Sequence, residues 1–161
     1  MFGEAPNFHG DTEYLDRLKA MTPEGLTVNF HGRYEHRDLP KILAGTDVLV
    51  VPSLWWESFC LTIREGLLAG CIVVAADHGA MGEAVDGGRN GIPFVPGSVS
   101  DLAAKLGDLL DHPERWPALR NLADRVKTIE ANALETVDRY RVALGRAGHD
   151  PAKACLLYTS D

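Results

Sequence analysis

Cysteine is scarce in this chain and badly placed for cross-linking. Cys60, Cys71 and Cys155 are three in number and form no CxxC pair. An odd, scattered set excludes a disulfide frame or a cysteine zinc site and fits a reducing compartment, with the thiols used as small apolar groups. Long apolar runs are missing too. The longest, residues 67–76, is about half of the roughly 20 residues that a membrane span needs. Glu4 follows close behind Met1 with no apolar segment after it, so no signal peptide is read, and the expected location is cytoplasmic with at most peripheral membrane contact. Lysine and arginine gather in no patch with interleaved aromatics, and the net charge is −7, which argues against nucleic acid as a partner. Any phosphate site must then be local. There is no Asp-x-Asp pair, and the six histidines are scattered, so no metal ion is implied.

What is present is a soluble globular composition, 45% hydrophobic and 24% charged in 161 residues, with 16 glycines suited to frequent strand-to-helix turns. That length is enough to bury roughly two-thirds of the unfolded surface. Leu15 and Leu18 predict a helix over 14–21, ended by Thr22-Pro23. Leu26, Val28 and Phe30 alternate as a strand over 26–31, closed by Gly32. A short helix is expected over 37–44, with Asp38 as its cap and Pro40 in its first turn, where a missing N–H costs little. Residues 48–51 and 72–76 are continuous apolar runs, the pattern of strands covered on both faces of a parallel sheet. Between them a helix is predicted over 61–69, ended by Gly70.

Further helices are predicted over 81–85 and 101–111, the latter with Leu102, Leu106, Leu109 and Leu110 on one face. A strand lies between them at 92–95, after turns marked by Gly87-Gly88 and Asn90-Gly91. Pro113 opens another helix through Trp116, Leu119 and Leu122, and a looser stripe over 129–144 reads as an outer helix. Alternating strands and helices with short connections predict an α/β fold, an open parallel β-sheet with helices on both faces. The expected domain is 1–150. Residues 151–161 continue no pattern, and Cys155 to Asp161 resembles a translated sequencing adapter, so this tail is set aside as non-native. Gly3, Pro6 and Gly10 look like the exit of a strand cut away upstream, so the chain reads as a fragment of a longer gene.

In such a sheet, ligands sit beyond the carboxyl ends of the strands, where loops run into helix N-termini. The loop after residue 51 is such a place, and the free backbone N–H groups of the next helix suit a diphosphate. Glu65, one turn inside, is placed to accept two hydrogen bonds from a ribose diol. Glu57, in the loop, brackets the diphosphate from the other side. Each glutamate also has a plainer reading, as a helix-dipole partner or a solvated loop carboxylate. Glu83 is expected to cap the helix that follows Gly79, and Trp55 and Trp56 to serve as wall and packing.

In this order of elements the chain resembles the C-terminal, donor-binding half of a retaining GT-B glycosyltransferase of the family 4 type. The resemblance runs through Phe30-His31-Gly32, Val51-Pro52-Ser53, the E-x7-E pair Glu57 and Glu65, Gly70, Gly79 to Glu83, Asn90-Gly91 and Pro96-Gly97. It implies a Rossmann-like domain that binds a nucleotide diphosphate sugar as donor substrate, with no separate cofactor. Glu65 would hold the ribose, and Ser58, Phe59, Cys60, Leu61 and Thr62 would surround the diphosphate. Glu57 would act as the catalytic group facing the sugar, with Gly79 and Ala80 lining the sugar site. Arg33 and Tyr34 would line the nucleobase pocket. The family usually has glycine at the positions of Ser58 and Cys60, so side chains there would narrow the phosphate approach. It also implies an Arg and a Lys clamping the diphosphate from upstream of Met1, and a missing N-terminal domain that brings a sugar, glycan or lipid-linked acceptor. The isolated chain would then bind nucleotide without transferring sugar. Two alternatives stand beside this reading: a nucleotide-sugar epimerase of the same architecture, and a non-catalytic nucleotide-binding module.

Overall fold

Residues 72–76 form the central strand of the described sheet. The computed structural model describes Phe2, residues 13–120, Leu122 and residues 126–146. The expected strand exit at Gly3, Pro6 and Gly10, and the tail from residue 151, lie outside the described residues. The chain divides into two compact units, Met1–Asp47 and Val48–Asp161.

In the first unit, α1 (Tyr14–Ala20) buries no residue, and its Asp16 lies in the first turn with Lys19 three residues on. A single 3-10 turn, His36–Asp38, leads into α2 (Leu39–Ala44), which buries Leu39 and Leu43. Asp38 occupies the N-cap position of α2 as expected, but its own backbone is helical and its side chain accepts no capping bond. At the C-terminal end of the helix, the Thr46 hydroxyl donates to the Ile42 carbonyl at 2.9 Å. The strand expected over 26–31 does not form. An alternating pattern shows which face a strand would bury, but a strand exists only when a neighbour pairs with it. Among the described residues these six join no sheet, and Leu26 is 64% exposed.

The second unit carries the sheet. Its strands β1 (Val48–Val51), β2 (Ile72–Ala76) and β3 (Ile92–Phe94) lie in the order β1-β2-β3, all parallel, with Val48 opposite Ile72 and Val74 opposite Ile92. Each crossover is a helix, α3 (Leu61–Leu68) and then α4 (Gly79–Val85). α5 (Val99–Asp111), α6 (Trp116–Arg120) and α7 (Ile129–Arg146) complete it. All five residues of β2 are buried, and side chains alternate along a strand, so both faces of the sheet are covered. α3 covers the face that carries Leu49 and Val73, and it approaches so closely that a Cβ on Gly66 would meet the Leu49 side chain. α6 packs on β2 as well, and the Trp116 indole donates to the Leu109 carbonyl at 2.9 Å, tying α6 to α5.

β1 departs from expectation, since Val50 remains partly exposed. It is an edge strand of the described sheet, as is β3, so only β2 has neighbours on both sides. α5 starts two residues earlier than expected because Ser98 is its N-cap, accepting from the Asp101 N–H at 3.2 Å. Leu110 turns outward, while Leu102, Leu106 and Leu109 pack inward. At 100° per residue, Leu110 falls a full quarter-turn away from Leu109. Among the described residues no helix is long and apolar enough to cross a membrane.

Candidate functional site

The β1–α3 loop, residues 52–60, leaves the carboxyl end of an edge strand and re-enters the fold at a helix N-terminus. Its first turn is local, with the Ser53 hydroxyl accepting from the Trp55 N–H at 3.3 Å. Its middle is held from α4. The His78 Nε2 donates to the Ser53 carbonyl at 3.1 Å, and the His78 ring packs against Trp56 at 5.2 Å between centroids. Trp56 in turn lies on Gly79, where an added Cβ would come within 3.0 Å of its ring and 3.7 Å of the Glu57 carbonyl. The loop and the start of α4 therefore bring Glu57 and Gly79 together. Ala80 sits beside them with its side chain buried. Glu83 lies in the middle of α4 and so does not cap it; His78 occupies the N-cap position, in extended backbone.

Cys60 closes the loop in an unusual conformation. It is the N-cap of α3 at φ 54°, ψ 76°, in the left-handed region that a residue with a Cβ occupies at a cost of about 1–2 kcal/mol. Its side chain is buried, so the cost of having cysteine here lies in the backbone more than in bulk over the helix end. Burial pushes the Cys60 thiol up, the Ile63 backbone N–H pulls it down, and Glu57 and, more weakly, Glu65 push it up again. A thiol held in its neutral form is not a nucleophile. The same influences locate both glutamates around Cys60.

Two properties suit this corner to a ligand in chemical terms. Among the described residues, the backbone N–H groups of Phe59, Leu61 and Thr62 have no protein acceptor, and the Glu57 and Glu65 carboxylates have no hydrogen-bond or ion-pair partner. Both glutamates are partly buried, and Ser58 is exposed. Donors at a helix N-terminus attract an anion, and two unspent carboxylates beside them are acceptors for hydroxyl groups. Among the described residues no cluster of three or more His, Cys, Asp or Glu side chains is placed to hold a metal ion.

Arg33 and Tyr34 lie on the first unit, apart from this loop in the chain. With Phe2, Asp38 and Lys41 they line a depression of about 450 Å³. The Phe2 ring stacks on His31 at 4.4 Å and meets Tyr34 edge-on at 6.1 Å. Two residues of the second unit that no sequence motif marks also shape this corner. His78 positions the loop, and no local pattern distinguishes it from a solvated histidine. Arg64 lays its guanidinium over the Phe59 ring at 4.0 Å and donates to the Cys60 carbonyl at 3.5 Å, while burial lowers its pKa. Phe59, Arg64, Glu83, Asn90 and Lys127 are among the residues lining a cleft of about 400 Å³.

Comparison with known proteins gives a consistent result. The profile of the family described as Glycosyl transferases group 1 matches residues 3–112. A glycogen synthase of Mycobacterium tuberculosis is 37% identical over 84 residues, 52% of this chain and 20% of that protein. An MMP alpha-(1->4)-mannosyltransferase of Mycolicibacterium hassiacum is 34% identical over 114 residues, covering 68% of this chain and 28% of its own length. Among solved structures, Anabaena HepE in complex with UDP superimposes with a TM-score of 0.72 at 28% identity, over 86% of this chain and 40% of that one. Sucrose-phosphate synthase from Thermosynechococcus elongatus gives 0.70 at 26% identity, over 89% and 37%. The chain thus spans between a fifth and two-fifths of the length of these proteins.

Proposed function

Because the chain belongs to the family of glycosyl transferases group 1, we propose that it supplies the donor-binding part of an enzyme transferring a sugar from a nucleotide diphosphate sugar to an acceptor. The observation that carries this reading is the corner at Cys60, where, among the described residues, unpaired N–H groups at the α3 N-terminus are accompanied by two unpartnered carboxylates that both act on Cys60. The solved complexes of Anabaena HepE with UDP and with UDP-glucose support a donor of this class.

In this reading the amides of Phe59, Cys60, Leu61 and Thr62, with Ser58 beside them, receive the diphosphate. Glu65 accepts from the ribose hydroxyls, and Glu57 faces the sugar, with Gly79 and Ala80 along its edge. Arg33 and Tyr34, expected from the resemblance to meet the nucleobase, lie on the first unit. Transfer proceeds with retention through an oxocarbenium-like transition state. Charge builds on the departing diphosphate, and amides already fixed in place stabilise it without reorganising. The acceptor is bound by parts of the protein beyond this chain, so the chain alone binds donor without transferring its sugar.

The test is a calorimetric titration of uridine, guanosine and adenosine diphosphates into the wild-type chain and into Glu65→Ala. The wild type binds one of them. Loss of two hydrogen bonds to a charged acceptor is expected to cost about 2 kcal/mol, roughly a thirtyfold rise in Kd, with the melting temperature unchanged. An unchanged Kd in Glu65→Ala removes the ribose assignment.

A further inference from the structure

Two neighbouring tryptophans stand out of the β1–α3 loop, Trp55 at 78% exposure and Trp56 at 72%. They are held differently. Trp56 lies across Gly79, whose missing Cβ leaves room for the ring, and the His78 ring lies 5.2 Å from it between centroids at a 36° tilt. His78 is itself anchored by the hydrogen bond to Ser53. The acceptor is a carbonyl, so Nε2 must carry the proton, which both the neutral Nε2–H form and the imidazolium provide. Among the described residues, Trp55 makes no ring contact of this kind.

An aromatic ring kept exposed yet fixed has already lost the rotamer freedom that binding would otherwise remove. The next residue is Glu57, whose carboxylate has no protein partner. A flat apolar face followed by a free acceptor matches the chemistry of a pyranose ring, which offers a face of C–H groups and a rim of hydroxyl donors. We infer that Trp56, clamped by His78 and Gly79, is the platform on which the ring of the transferred sugar stacks, with Glu57 accepting from one of its hydroxyls. This inference rests on the donor-binding reading above and assigns the sugar part of that site.

The experiment compares each nucleoside diphosphate with its sugar conjugate, UDP with UDP-glucose, GDP with GDP-mannose and ADP with ADP-glucose, titrated into the full chain. In Trp56→Ala the affinity for the bound conjugate falls about fivefold while the free diphosphate stays within about twofold, the range expected for one stacking contact. Trp56→Phe restores most of the loss. His78→Ala, which releases the ring without removing it, weakens the conjugate about two- to threefold and spares the free diphosphate. Conjugate affinity unchanged in Trp56→Ala overturns the platform. So does an equal loss for conjugate and free diphosphate, which would make Trp56 a support of the loop. If the wild type binds no nucleotide at all, the donor-binding reading itself fails and this assignment falls with it.

Discussion

Cys60 shows how a single residue can be suited to its site and strained there at once. Its φ of 54° places it where glycine is at ease, while its side chain is buried in the core cluster. Two replacements separate these effects. Cys60→Ala keeps the left-handed penalty and loses the buried sulfur, whereas Cys60→Gly loses the sulfur and the penalty together. The glycine variant is therefore expected to be more stable than the alanine variant by about 1 kcal/mol, read from urea unfolding. Equal midpoints would show that the backbone at residue 60 is not strained. The positions of Glu57, Cys60 and Glu65 along the chain were legible in the sequence, because loop and helix spacing carry them. The clamp by His78 was not, since it joins residues twenty-five apart through one side-chain bond to a carbonyl.

At the scale of elements, glycine is informative for a reason that the sequence hides. Asn90-Gly91 reads as a turn, and it does precede β3. Gly91 has a second constraint: a Cβ there would stand 2.9 Å from the Val73 carbonyl and 2.9 Å from the Val85 side chain. The first of these neighbours is backbone in the central strand, which cannot step aside. Gly91→Ala is accordingly expected to destabilise the chain by about 2 kcal/mol in urea unfolding. A neutral or stabilising result would mean that β3 sits less closely on β2 than described. The apolar runs at 48–51 and 72–76 announced β1 and β2 because full burial on a parallel sheet leaves little room for polar residues. The alternation over 26–31 failed as a strand because its pattern says nothing about a pairing partner. Ser98 set the start of α5 through a side-chain bond, and the leucine stripe alone does not reveal that boundary.

At the scale of the molecule, the open parallel α/β architecture was legible from the order of strands, helices and glycines, and the match over residues 3–112 carries the family assignment. The nucleobase contact expected of Arg33 and Tyr34 rests on the resemblance alone. They lie in the first unit, among residues whose spacing has no strand or helix to fix it. The proposed diphosphate contacts all lie in the second unit, at the unpaired amides of the α3 N-terminus. The most direct measurement is an amide-resolved NMR titration of the chain with the nucleoside diphosphate that it binds. The backbone resonances of Phe59, Cys60, Leu61 and Thr62 are expected to shift together and to saturate at one Kd. Binding with those four amides unmoved, or shifts confined to other parts of the chain, would contradict the placement of the diphosphate at the α3 N-terminus.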